Sequence, residues 1–130
     1  MPLVRIDLLS DVDTESTDKR LAAVGDAVHQ AMTETIDVPR DDVFQIRTSH
    51  RQGGVRYDPG YLGVNRDDGI VFVNITMRVG RTDAQKKALY RRISELAAER
   101  VGIEPRNVLT ALTENQSIDW SFGEGAAQLA

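Results

Sequence analysis

The chain of 130 residues has no cysteine, which excludes disulfide staples, thiolate nucleophiles and zinc clusters built on thiolates. Histidine is scarce as well: His29 and His50 are the only two, and their separation does not match a metal-ligand pair. No metal and no cofactor are therefore expected. No apolar run approaches the length of a membrane span, and Arg5 and Asp7 interrupt the first apolar stretch, against a signal-peptide pattern. A strong excess of positive charge is also missing. The net charge of −4 speaks against non-specific nucleic-acid binding. The expectation is a soluble cytoplasmic protein with neither nucleic acid nor membrane as partner. What is present, 41% hydrophobic residues, supplies a sizeable core for a single domain over residues 1–130.

A faint internal repeat organises that domain. Pro39-Arg40-Asp41 returns as Pro105-Arg106-Asn107, a shift of 105 − 39 = 66, and the same shift lays Ser16-Thr17-Asp18-Lys19 on Thr82-Asp83-Ala84-Gln85. Each half, about 1–48 and 69–115, reads as strand, helix, strand. In the first, Val4, Ile6 and Leu8 alternate with Arg5 and Asp7; Leu21, Val24, Val28, Met32 and Ile36 recur at helical spacing; Val43 to Ile46 closes the unit. In the second, Ile70 to Met77 is a fuller apolar strand. Thr82 with Gln85 has the form of a capping box, Leu89, Ile93 and Leu96 make an inward stripe, and Val108 to Leu112 ends the unit. The stretch from Thr48 to Asp68, with Gly53-Gly54, Asp58-Pro59-Gly60 and Asp67-Asp68-Gly69, reads as loops with a short hairpin. A tail, 116–130, follows.

Strands joined through one helix run parallel with a right-handed crossover. Two such units sharing a sheet, with both helices on one face, give an α+β fold: a four-stranded mixed sheet with a helical layer. If a pseudo-twofold axis relates the halves, the starts of the first two strands share a rim with the ends of the last two. That rim gathers Pro2, Asp42, Arg78, Arg81, Trp120 and Phe122.

Each of these suits a definite chemistry and also has a plainer reading. Pro2 follows Met1, and a small second residue normally permits removal of the initiator methionine, leaving a secondary amine that titrates near ~8. A retained Met1 would block it. Arg78 and Arg81 flank a Val79-Gly80 turn ahead of the Thr82 cap, where guanidinium groups and free helix N–H groups favour a small carboxylate; alternatively they are solvated surface charges. Asp42 could act as a base, orient water or hold the amine protonated, or simply shape its turn. Trp120 and Phe122 could wall a pocket or pack in a core or subunit interface. His29 reads as a partly buried structural residue on the first helix.

Together the motifs resemble the tautomerase superfamily, and within it the malonate semialdehyde decarboxylase group. They are Pro2-Leu3-Val4-Arg5-Ile6-Asp7-Leu8, Gly25-Asp26-Ala27-Val28-His29, Val38-Pro39-Arg40-Asp41-Asp42-Val43-Phe44-Gln45, Gly80-Arg81-Thr82, and Thr113-Glu114-Asn115 through Asp119-Trp120-Ser121-Phe122-Gly123. The resemblance implies a homotrimer and a cofactor-independent decarboxylase of a small 3-oxo acid. It implies that Pro2 is catalytic with Asp42 as its acidic partner, that Arg81 and Arg78 bind the substrate carboxylate, and that Trp120 and Phe122 line the pocket; His29 is a further substrate-binding candidate. The Arg78-to-Arg81 spacing is similar to the cis-3-chloroacrylic acid dehalogenase group, whereas Thr110-Ala111-Leu112 lacks that group's tyrosine. The connection from Ser10 to Arg20 is longer than expected for the decarboxylase group. Other readings are a dehalogenase-like hydratase, an enol-keto tautomerase using neutral Pro2 as base, and a non-catalytic trimeric binding protein.

Overall fold

A computed structural model describes residues 1–11 and 14–130. The elements are β1 (Leu3–Leu9), α1 (Glu15–Thr35), β2 (Gln45–His50), β3 (Val71–Arg78), α2 (Asp83–Val101) and β4 (Val108–Asn115). They form a four-stranded sheet in the order β2-β1-β3-β4. β1 runs parallel to β2, β3 parallel to β4, and the central pair β1–β3 is antiparallel. This is the expected mixed sheet of two β-α-β units. The expected lengthening of the Ser10–Arg20 connection falls partly outside the described residues.

Alternation puts Val4, Ile6 and Leu8 of β1 and Val71, Val73, Ile75 and Met77 of β3 on one face. There they meet Leu21, Val24, Val28 and Met32 of α1 and Leu89, Ile93 and Leu96 of α2, all of them buried. Burying one such side chain contributes about 1.5–3 kcal/mol, so this single layer between sheet and helices dominates the fold. Among the described residues, no helix is long and apolar enough to cross a membrane.

Thr14 caps α1, its Oγ1 accepting from Thr17 N at 3.3 Å. Thr82 and Gln85 do form the capping box expected at α2. The second strand is Gln45–His50 rather than Val43–Ile46, because its ladder with β1 runs from Val4 opposite Gln45 to Leu9 opposite His50; the Gln45 side chain turns toward α1 and donates to the Gly25 carbonyl at 2.9 Å. A Cβ on Gly25 would lie 2.3 Å from that amide, so the approach requires glycine. Finally, the described segment from Arg51 to Ile70 contains no hairpin. It is fastened instead by Arg66, whose Nη1 donates to the carbonyls of Asp58, Tyr61 and Val64.

Candidate active site

The strand registers converge on one rim. Val4 pairs with Gln45, an offset of 45 − 4 = 41, and with Ile75, a sum of 4 + 75 = 79. Continued to position 1, these registers reach 1 + 41 = 42 and 79 − 1 = 78. Met1 thus stands level with Asp42 on one side and Arg78 on the other. Its ammonium forms an ion pair with Asp42 Oδ2, and Pro2 behind it is buried. The Asp42 amide donates to the Pro39 carbonyl at 3.1 Å, closing the turn that aims the carboxylate.

Arg78 ends β3. Its Nη1 donates to Ser117 Oγ at 3.2 Å, while its Nε is buried without a hydrogen-bond partner. Leaving such a donor unmet costs about 1–3 kcal/mol. Arg81 is differently occupied: Nε (3.4 Å) and Nη2 (3.2 Å) reach the Ile36 carbonyl, and Nη1 reaches the Arg78 carbonyl at 3.4 Å. Ile36 is the C-cap of α1, a helix with no basic residue in its own last turn. Arg81 therefore supplies from a distant segment the cation that a helix C-terminus favours. Gly80, at φ +130°, makes the bend that brings the two arginines together, a conformation costly for any other residue.

Arg78 separates two clefts. One, of about 250 Å³, is lined by Ile36, Asp37, Arg78, Val79, Gly80, Arg81 and Gln85. The other, of about 510 Å³, is lined by Arg78, Val79, Gln116, Ser117, Ile118, Leu129 and Ala130. Beyond β4 the tail crosses the rim. Trp120 donates from Nε1 to Asn115 Oδ1 at 2.6 Å and stacks on Phe122, with centroids 5.5 Å apart and planes at 3°. Phe122 in turn meets Phe44 at 6.0 Å. Since Phe44 precedes β2 and Asn115 ends β4, this aromatic chain joins the two edges of the sheet. Gln128 holds the crossing: its Oε1 accepts from Phe122 N and its Nε2 donates to the Gly123 carbonyl, both at 2.9 Å.

Pro2, Asp42, Arg78, Arg81, Trp120 and Phe122 are thus gathered at one rim. His29, expected among the substrate-binding residues, is not. It lines a separate cleft of about 620 Å³ with Asp26, Gln30, Thr33, Glu34, Arg40 and Arg100, and its Nε2 bonds the Arg40 carbonyl at 2.8 Å. Its position on α1 points it at the turn before Asp42 rather than at the arginines. Phe44, Ser117 and Gln128 were missed by sequence reasoning. Phe44 looked like an ordinary strand residue, and nothing local marks Ser117 or Gln128, whose partners lie elsewhere in the chain. Among the described residues, no group of three or more His, Asp or Glu side chains is placed to hold a metal ion.

Comparison with known proteins agrees with this geometry. A family profile described as tautomerase enzyme matches residues 42–123, and a second with the same description matches residues 2–57. A probable tautomerase of Bacillus subtilis (strain 168), YusQ, is 39% identical over 129 residues, covering 99% of this chain and 98% of the relative. Among solved structures, malonate semialdehyde decarboxylase superposes with a TM-score of 0.86 at 31% identity, covering 98% of this chain and 95% of that one. The malonate semialdehyde decarboxylase FG41, inhibited by 3-bromopropiolate, superposes at 0.85 with 36% identity, covering 97% and 92%.

Proposed function

The chain belongs to the tautomerase family, and from that premise we propose that it decarboxylates a small 3-oxo acid such as malonate semialdehyde, with Pro2 as its amino-terminal catalytic group. The observation that carries this reading is the amino terminus paired with Asp42 at the same rim as Arg78, whose buried Nε is unpartnered. Removal of Met1 would leave the proline nitrogen as the amine in this neighbourhood. Asp42 is then the carboxylate partner of that amine.

In this mechanism Arg78 receives the substrate carboxylate, because more of its donor capacity is open. Arg81 adds positive charge while three of its five N–H groups hold the turn. Protonated Pro2 donates a hydrogen bond to the aldehyde oxygen. The electron pair of the bond to the departing carboxylate flows toward that carbonyl, carbon dioxide leaves, and the resulting enolate, held by the Pro2 hydrogen bond, takes one proton at carbon from solvent to give acetaldehyde. In a variant route the proline nitrogen first condenses with the aldehyde, releasing water. The iminium then accepts the same electron pair as carbon dioxide leaves, giving an enamine; the enamine takes one proton at carbon, and water hydrolyses the resulting iminium to acetaldehyde and the free proline amine. Trp120 and Phe122 shield the carboxylate from water, which raises its energy relative to the less charged transition state. The same ammonium would support slower hydratase and tautomerase reactions.

A homotrimer is part of the reading. The sheet face opposite the helices is uncovered in one chain, with Ile46 45% and Leu109 37% exposed, which suits burial against neighbouring copies. A second reading, an enol-keto tautomerase with neutral Pro2 as base, is favoured by the name of the Bacillus relative.

The test uses purified protein whose intact mass reports whether Met1 is absent. Malonate semialdehyde and an enol pyruvate are supplied separately and followed by NMR. Acetaldehyde formation lost in Pro2→Ala supports the decarboxylase. Rapid enol ketonisation without acetaldehyde would select the tautomerase, and unchanged activity in Pro2→Ala would reject both.

A further inference from the structure

His29 is the one expected site residue that lies apart from the rim, and its contact gives it a different role. The segment between the end of α1 and the start of β2 has two firmly held ends. Val38 is buried in the core, and Val4 N donates to the Phe44 carbonyl at 3.0 Å, tying the far end to β1. Between them Pro39, Arg40 and Asp41 are exposed. The turn there is held by the Asp42 amide on the Pro39 carbonyl at 3.1 Å and by His29 Nε2 on the Arg40 carbonyl at 2.8 Å. A carbonyl only accepts, so Nε2 carries the hydrogen. Nδ1 is buried without a partner, so the ring is held at the Nε2 end alone.

We propose that His29 is a positioning residue: through the Arg40 carbonyl it fixes the 39–42 turn and so sets where the Asp42 carboxylate meets the amino-terminal amine. This rests on the proposed roles of Pro2 and Asp42. The link is short. Arg40 lies two residues before Asp42, whose carboxylate pairs with the terminal ammonium. Loss of the anchor frees an exposed turn that has no apolar side chain to hold it, and the carboxylate drifts from the amine. A misplacement on the scale of one ångström at a catalytic group can lower a rate by roughly 100-fold; a partial release through one solvent-accessible bond should cost about 5- to 10-fold. His29 does not line either cleft that contains Arg78, so substrate affinity should be left alone.

The experiment is a double-mutant cycle between His29→Ala and Asp42→Asn, with His29→Gln as the conservative rescue, since a glutamine amide also offers an N–H at the far end of its side chain. In His29→Ala, kcat should fall about 5- to 10-fold with KM within about twofold. His29→Gln should recover most of the loss, and His29→Ala should add nothing in the Asp42→Asn background. Hydrogen exchange gives a readout independent of turnover: the Asp42 amide should lose protection in His29→Ala and regain it in His29→Gln. Losses that multiply in the double variant, a raised KM, or unchanged exchange at Asp42 would overturn the proposal. If Asp42→Asn alone leaves both kcat and KM unchanged while exchange responds to His29, the catalytic reading fails and the anchoring of the turn stands.

Discussion

The two ends of the sheet carry related sequences and treat their charges in opposite ways. At the end where β3 and β4 begin, Pro105-Arg106-Asn107 builds a closed network. Arg106 donates to Glu104 at 2.5 Å, to Asp67 at 2.6 Å and to the Asn65 carbonyl at 3.2 Å. Asn107, 4% exposed, donates to Asp67 Oδ1 at 2.8 Å and accepts from Asp67 N at 3.0 Å. The Gly69 N–H, then Asn107 and Arg106, hold the Asp67 carboxyl below the usual carboxylate range, and Arg106 does the same for Glu104. At the opposite end Pro39-Arg40-Asp41 makes a turn of similar composition, but there Arg40 engages His29 through its carbonyl, and Arg78 at the same rim has a buried donor with no partner among the described residues. A similar tripeptide is a fastening at one end and stands at a receptive rim at the other. The difference is whether each cation finds its acceptor inside the chain.

The sharpest way to break this contrast is at the receptive end. Pro2→Ala should lower turnover by about 100-fold or more, the scale of a lost acid or base, while leaving thermal stability and assembly as they were; steady-state kinetics with size-exclusion chromatography checks both. Next, Arg78→Ala should raise KM by roughly 10- to 100-fold, since hydrogen bonds to charged groups are worth about 1.5–3 kcal/mol. Arg81→Ala should instead lower the unfolding midpoint, because it uncaps the C-terminus of α1. Equal KM changes in the two variants would erase the division of labour between the arginines. At the fastened end, Asn107→Ala should cost about 1–3 kcal/mol of stability in urea unfolding, by stranding its partners, with kcat/KM within about twofold.

The smallest effect is acid sensitivity. Asp67 and Glu104 have folded pKa values below their unfolded ones, so the stability they contribute is present above about pH 4 and is lost as pH falls through the folded values. Urea midpoints measured from neutral pH downward should decline there, and Asp67→Asn should flatten the decline. A pH dependence unaltered in that variant would remove Asp67 from the account.

Much of this arrangement was legible in the sequence because it depends on local periodicity. The alternation of Val4, Ile6 and Leu8 and the helical stripe from Leu21 to Ile36 both lie against the core as read. The repeat, with the rule for β-α-β crossovers, is enough to bring Pro2, Asp42 and Arg78 to one rim. What escaped was set by side chains bonding across long stretches of chain. Gln45 leaves the apolar pattern to bond Gly25; Arg81 bonds Ile36 from 45 residues away; Gln128 fastens the tail beyond its single 3-10 turn at Ser117–Asp119. His29 fell between these cases: its place on α1 was readable, and the carbonyl it would meet was not.

The crossing tail has a practical corollary. Leu129 and Ala130 line the same cleft as Arg78, and Met1 pairs with Asp42 at the same rim, so residues at both ends lie at the rim that holds this space. An affinity tag or fluorescent fusion at either end would crowd that space and disturb the measurement it was meant to assist. A reporter inserted in the 51–69 excursion, where Tyr61 and Leu62 stand 65% and 81% exposed at the far end of the sheet, would leave it open.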